Sequence, residues 1–139
     1  MTTNAPHWQD KYERRSAVAE AEHHQFAEQI AVSAAESAVA SARIADLRAA
    51  QQSAHRRWTT AHGQLTKARN SSNPERLAAA EEREKQTYVE FCRISDAGID
   101  ESLQINRAQL DRSAANLEQM RRAWAASDAA LDALRVPRG

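Results

Sequence analysis

Cysteine occurs once in the 139 residues, at Cys92, which excludes an internal disulfide and any multi-cysteine metal site. The three glycines stand far apart, so neither a Gly-rich phosphate loop nor a glycine-containing nucleophile elbow can form. Cys92 and the serines therefore have no turn to expose them and no adjacent histidine to activate them. Aromatic residues make up 5% of the chain, and much of the 42% apolar content is alanine, a strong helix former that buries little surface. The core these residues build must be thin. Neither charge sign is in excess: Lys plus Arg and Asp plus Glu are both 19, so no net field draws the chain to nucleic acid or an anionic membrane. No run approaches the roughly 18 apolar residues of a membrane span, and the start MTTNAPHWQDKYERR has no apolar signal-peptide segment. These absences point to a cytoplasmic protein, or one exported without such a signal. No catalytic residue, cofactor or small-molecule substrate is expected.

Proline is scarce too, and its placement organises the chain. Pro6, Pro74 and Pro137 delimit two proline-free arms of similar length. Between them Asn70-Ser71-Ser72-Asn73 reads as a turn, with Asn73 as helix cap, Pro74 at the first helical position and Glu75 complementing the helix dipole. The expectation is one all-α domain over 1–139: helix 1 about 7–69, loop 70–73, helix 2 about 74–134, folded as a long antiparallel coiled-coil-like hairpin. Each arm would measure about 90 Å at 1.5 Å per residue.

The first arm carries a 3-4 repeat: Tyr12, Ser16, Ala19, His23, Phe26, Ile30, Ser33, Ser37, Ala40, Ile44, Leu47, Gln51, Ala54, Trp58, Ala61, Leu65, Ala68. The second repeats through Leu77, Glu84, Tyr88, Phe91 or Cys92, Ile99, Leu103, Asn106, Leu110, Ser113, Leu117, Met120, Trp124, Ser127, Leu131 and Leu134. Its spacing slips around Ser95-Asp96-Ala97-Gly98, which reads as a stutter absorbed by a continuous coil or as a kink before a third helix. Folding the arms about position 72 brings Phe26 near Leu117, Ile44 near Ile99, Tyr12 near Leu131 and Trp58 near Tyr88 and Lys85. Trp124 would fill the space beside Ala19 and Ser16.

Three constellations bear on function. Glu20 and His23 have the Glu-x-x-His spacing of carboxylate-bridged metal sites in helical bundles. The second arm offers no histidine to complete such a site, so a packing histidine is the plainer reading. The pairs Arg14-Arg15, Arg56-Arg57 and Arg121-Arg122 could grip phosphates of nucleic acid or a membrane surface. Interleaved Glu13, Glu20, Glu118 and Asp128 make a solvated face the simpler account. Third, Val18, Val32 and Val39 form a second stripe off the seam. A lone hairpin buries one stripe per arm against about 1–2 kcal/mol of ordering cost per residue, so a protein partner or a second copy is expected, with pairing into a four-helix bundle.

Arginine in place of lysine, together with abundant alanine, suggests a GC-rich bacterium or its phage. A helical hairpin with Trp124 and Asp128 four residues apart near the end of its second helix resembles the WXG100 (ESX-type) proteins of type VII secretion. The resemblance implies a hairpin that pairs into a four-helix bundle and a Tyr-x-x-x-Asp/Glu export signal, here with tryptophan in place of tyrosine. The turn lacks that family's Trp-x-Gly, and the arms are about half again as long. Val18, Val32 and Val39, from the second stripe, and Trp124 and Asp128, from the resemblance, are together the expected partner-binding residues.

Overall fold

The computed structural model describes residues 7–135. Pro6 and Pro137, read above as boundary marks, lie outside the described residues. Two helices account for nearly all of them: α1, His7–Arg69, and α2, Pro74–Asp132, with no strand among the described residues. The protein is an all-α helical hairpin.

The turn forms by the chemistry its residues carry. Asn73 Oδ1 accepts from the backbone N–H groups of Glu75 at 3.1 Å and Arg76 at 3.3 Å, which supplies partners to two donors that the first turn of α2 leaves open. At the end of α1, Ser71 donates to the Ala68 carbonyl from both its backbone N–H, at 3.1 Å, and its hydroxyl, at 2.8 Å. After Asp132 the chain leaves α2 through i to i−3 bonds at Ala133, Leu134 and Arg135.

The chain divides into two compact units: the described residues through Ser37 together with those from Ala108 onward, and Ala38–Arg107, which contains the turn. In the turn unit, Ala54, Ala61, Leu65 and Ala68 are buried along α1. Trp58 stacks on Phe91 at 5.5 Å between centroids and meets Tyr88 at 5.0 Å. The Trp58 and Tyr88 layer is therefore formed as the fold-back predicts. Trp58 Nε1 donates to Glu84 Oε1 at 3.0 Å, giving the partly buried indole N–H its partner.

In the other unit the core is alanine: Ala19 from α1, with Ala123 and Ala130 from α2 and Ala133 just past its end, beside a buried Gln119. Small side chains let two helix backbones approach closely, but each layer removes little apolar surface from water.

Along α1 the seam follows the expected repeat except at His23, Ile30 and Gln51, which are exposed; Glu22 and Gln29 turn inward beside the first two. Along α2 the repeat holds at Leu77, Glu84 and Phe91, whereas Tyr88 is 46% exposed and Thr87 is buried beside it; beyond Phe91 the repeat is offset by one residue. The inner row runs Ile94, Gly98, Glu101, Ile105, Gln109, Arg112, Asn116, Gln119, Ala123, Ala126, Ala130 and Ala133, and the expected seam members Met120 and Ser127 are also partly buried beside it. Trp124 consequently does not fill the space beside Ala19 and Ser16; Ala123, at 0% exposure, occupies the seam. Ile99, Leu117 and Leu131, expected in layers with Ile44, Phe26 and Tyr12, are exposed. The physical reason is the close approach itself: an interface held by alanine on one helix has no room for tryptophan and leucine from the other.

α2 passes through Gly98 without a break, and a Cβ at Gly98 would meet nothing within 4 Å. The single continuous helix is realised, with no third helix among the described residues. A four-residue step repeated at Glu101, Ile105 and Gln109 absorbs the irregular spacing.

Candidate functional site

The residues displaced from the seam form the most prominent surface of α2. Leu103, Leu110, Leu117, Trp124 and Leu131 recur at every seventh position and are 61%, 71%, 44%, 60% and 58% exposed. Heptad spacing places them in line along one helix face, the pattern of a coiled-coil seam without a second helix. Ser113, Met120, Ser127 and Leu134 form the parallel row three residues on. In the unit of Ala19 and Ala123, the stripe therefore contains Leu110 to Leu134, and its largest side chain is Trp124.

Polar contacts close one flank of the α1–α2 seam in that unit. Arg15 Nη1 donates to the Ala129 carbonyl at 2.8 Å, and Gln119 Nε2 donates to Glu22 Oε2 at 2.6 Å. Gln29 Nε2 donates to Asn116 Oδ1 at 2.9 Å, and Arg112 Nε pairs with Glu36 at 3.3 Å. Asn116 also donates to Ser33 Oγ at 3.1 Å, so one seam amide engages two α1 side chains and fixes the pairing register. The other flank carries one such link, His23 Nε2 to Ser127 Oγ at 2.7 Å. On that flank the stripe of α2 adjoins Ile30 of α1, which is 42% exposed.

The expected partner-binding residues fall on different faces. Trp124 and Asp128 are both exposed and, being one helical turn apart, share the outward face of α2. Val18 and Val32 are exposed on the flank of α1 opposite Ile30, and Val39 is exposed in the turn unit. Nothing in the sequence pattern of α1 alone distinguishes those two flanks. Ile30, beside the stripe, was assigned to the seam by its spacing.

The remaining constellations have local partners. His23 faces Ser127, Glu20 is exposed, and no group of three or more His, Cys, Asp or Glu among the described residues could hold a metal ion. At least one arginine of each pair is engaged within the hairpin: Arg14 with the Asp10 carbonyl at 3.4 Å and Arg15 with that of Ala129, Arg57 with Glu90 at 3.1 Å, and Arg122 with Glu118 at 3.7 Å.

In the turn unit, Arg43 grips Glu101 with two bonds of 2.6 and 2.8 Å. Those bonds hold the Glu101 carboxyl below its ordinary value of 4.5 and raise the Arg43 guanidinium. The neighbouring Cys92 thiol holds the Tyr88 phenol above its ordinary value. Beside Phe91 lies a shallow groove of about 370 Å³, lined by Gln51, Gln52, His55, Arg56 and Phe91.

No helix among the described residues is long and apolar enough to cross a membrane. No family model, curated protein or solved structure matches this chain.

Proposed function

We propose that this chain is a non-enzymatic helix-docking protein that receives a partner helix along the apolar stripe of α2. The observation that carries the reading is the stripe itself: leucine and tryptophan at strict heptad spacing, turned outward beside a seam made of alanine and amides. Soluble monomers rarely expose contiguous apolar patches beyond a few hundred Å². Leaving large apolar side chains outside a core of small ones wastes their contribution to folding unless something covers them. Trp124 would anchor such an interface, since buried tryptophans often dominate binding energy. Val18, Val32 and Val39 offer smaller secondary faces.

The test is a photo-crosslinking residue placed at Leu117, compared with one at the exposed, off-stripe Asp111, in concentrated protein and in whole cells. Crosslinks at 117 alone are expected, and Leu117→Glu with Leu131→Glu should remove the corresponding association while helicity is kept. Equal labelling at both sites, or collapse of the hairpin on the double substitution, would refute the docking reading.

Its most specific form is a type VII secretion substrate or partner of bacterial or phage origin. The hairpin architecture and the shared exposed face of Trp124 and Asp128 support it. In a host with such a secretion system, Trp124→Ala and Asp128→Ala should each abolish export of the chain. Unchanged export of both variants eliminates this form and leaves the docking role standing.

A further inference from the structure

We infer that the occupant of the stripe between Leu117 and Leu134 is a second copy of this chain, with α2 against α2, antiparallel, about a two-fold axis near residues 125 and 126. The inference rests on the docking reading above and specifies its partner. It follows from the charges beside the stripe and from the sizes of the residues within it.

On the outer edge of the stripe, facing away from α1, the flanking positions at heptad spacing are Ala114, Arg121, Asp128 and, just past α2, Arg135, which pairs with Asp132 at 3.5 Å. Arg121 and Asp128 are exposed, and neither is ion-paired with another described residue. In an antiparallel pair of helices, flanking positions of this kind meet their own counterparts on the other helix. An axis near 125 and 126 therefore sets Arg121 against Asp128 of the second copy, and symmetry forms the pair twice. Sliding one heptad toward the turn sets Arg121 against Arg121; sliding one heptad the other way sets Asp128 against Asp128. Both are repulsive.

The chosen register also matches sizes. Met120 meets Leu131 of the second copy and Trp124 meets Ser127, so the largest side chain lies opposite the smallest, while Leu117 faces the turn that follows α2, at Leu134. Sliding two heptads toward the turn pairs Asp128 with Arg107 and Arg135 with Asp100 and sets Leu134 against Leu103, but it leaves Arg121 against Ala114 and opposes Leu131 to Asn106 and Leu110 to Ser127, so a charge change at Arg121 tells the two registers apart. Each copy contributes four large exposed side chains, Leu117, Trp124, Leu131 and Leu134, with Ile30 of α1 adjoining. A specific interface needs on the order of 1,000 Å² in total. Isologous pairing doubles the contribution of a single stripe toward that area.

The experiment is molar mass by light scattering and sedimentation over a concentration series, at low and moderate salt, on the full chain. The wild type should be a dimer. Asp128→Arg and Arg121→Asp, each placing like charges together twice, should weaken it by about tenfold or more, and the double exchange should restore it to within about threefold. Circular dichroism on the same samples separates loss of pairing from loss of fold, and Leu117→Glu, outside the charge pair, should give a folded monomer.

A wild type that stays monomeric at every concentration overturns the second copy as occupant. The docking reading then survives only if the Leu117 photo-crosslink still captures a different protein. A dimer insensitive to either charge change, or a double exchange that fails to restore pairing, overturns this register.

Discussion

Ala123 and Trp124 are neighbours in sequence and opposites in the fold, one fully buried between the helices and the other 60% exposed. Hydrophobicity alone would exchange them. The distance between helix axes decides the matter: an alanine seam brings the backbones close, and a larger side chain forces them apart or adopts a strained rotamer. Ala123→Leu, though it adds apolar surface, is therefore expected to destabilise the hairpin by about 1–3 kcal/mol. Trp124→Ala should leave the stability of the unassociated hairpin within about 0.5 kcal/mol, the range for surface positions. Urea unfolding at low protein concentration checks both. A stabilised Ala123→Leu, or a Trp124→Ala as damaging as a core truncation, would restore Trp124 to the seam and remove the basis for an exposed stripe.

At the scale of the helix, the sequence is legible where side-chain size and seam position agree and misleading where they part. The turn could be read because Asn73, Pro74 and Glu75 each act within one helical turn, without help from distant residues. The α1 seam could be read because its larger members, Phe26, Ile44, Leu47, Trp58 and Leu65, lie on or near the inner face. On α2 beyond Phe91 two rows one residue apart each keep a heptad. One holds Leu103, Leu110, Leu117, Trp124 and Leu131; the other holds Gln109, Asn116, Ala123 and Ala130. Periodicity cannot choose between them. Burial preference favours the first row, but Asn116, Gln119 and Arg112 have α1 partners that only the second row can satisfy. The candidate site was thus present in the sequence as residues and assigned to the wrong side of the helix. Trp124 and Asp128, singled out through their spacing, lie on that outward face. The Val18, Val32 and Val39 repeat gave no sign that it stands apart from it.

For the whole molecule, the two units differ in what holds them. The turn unit joins Trp58, Tyr88 and Phe91 in one aromatic cluster, buries Leu65, and carries the doubly bonded Arg43–Glu101 pair. The unit of Ala19 and Ala123 buries alanine and Gln119, with amide and arginine contacts on one flank, so its own apolar burial is small against the ordering cost of its residues. The outward leucines and Trp124 from Leu110 to Leu134 belong to this weaker unit. Docking on them would therefore protect the unit least able to protect itself, and hydrogen exchange should resolve the difference. In a Leu117→Glu variant, amides of Ala19 to Ser33 and Asn116 to Ala130 should exchange well before those of Ala54 to Leu65. In the wild type, raising protein concentration should slow exchange in the first two segments by tenfold or more while leaving the third nearly unchanged, because ligation stabilises only the states that can bind. Uniform protection along both helices, independent of concentration, would show that the alanine unit is sustained without a partner, and the stripe would then have no energetic role in holding the hairpin together.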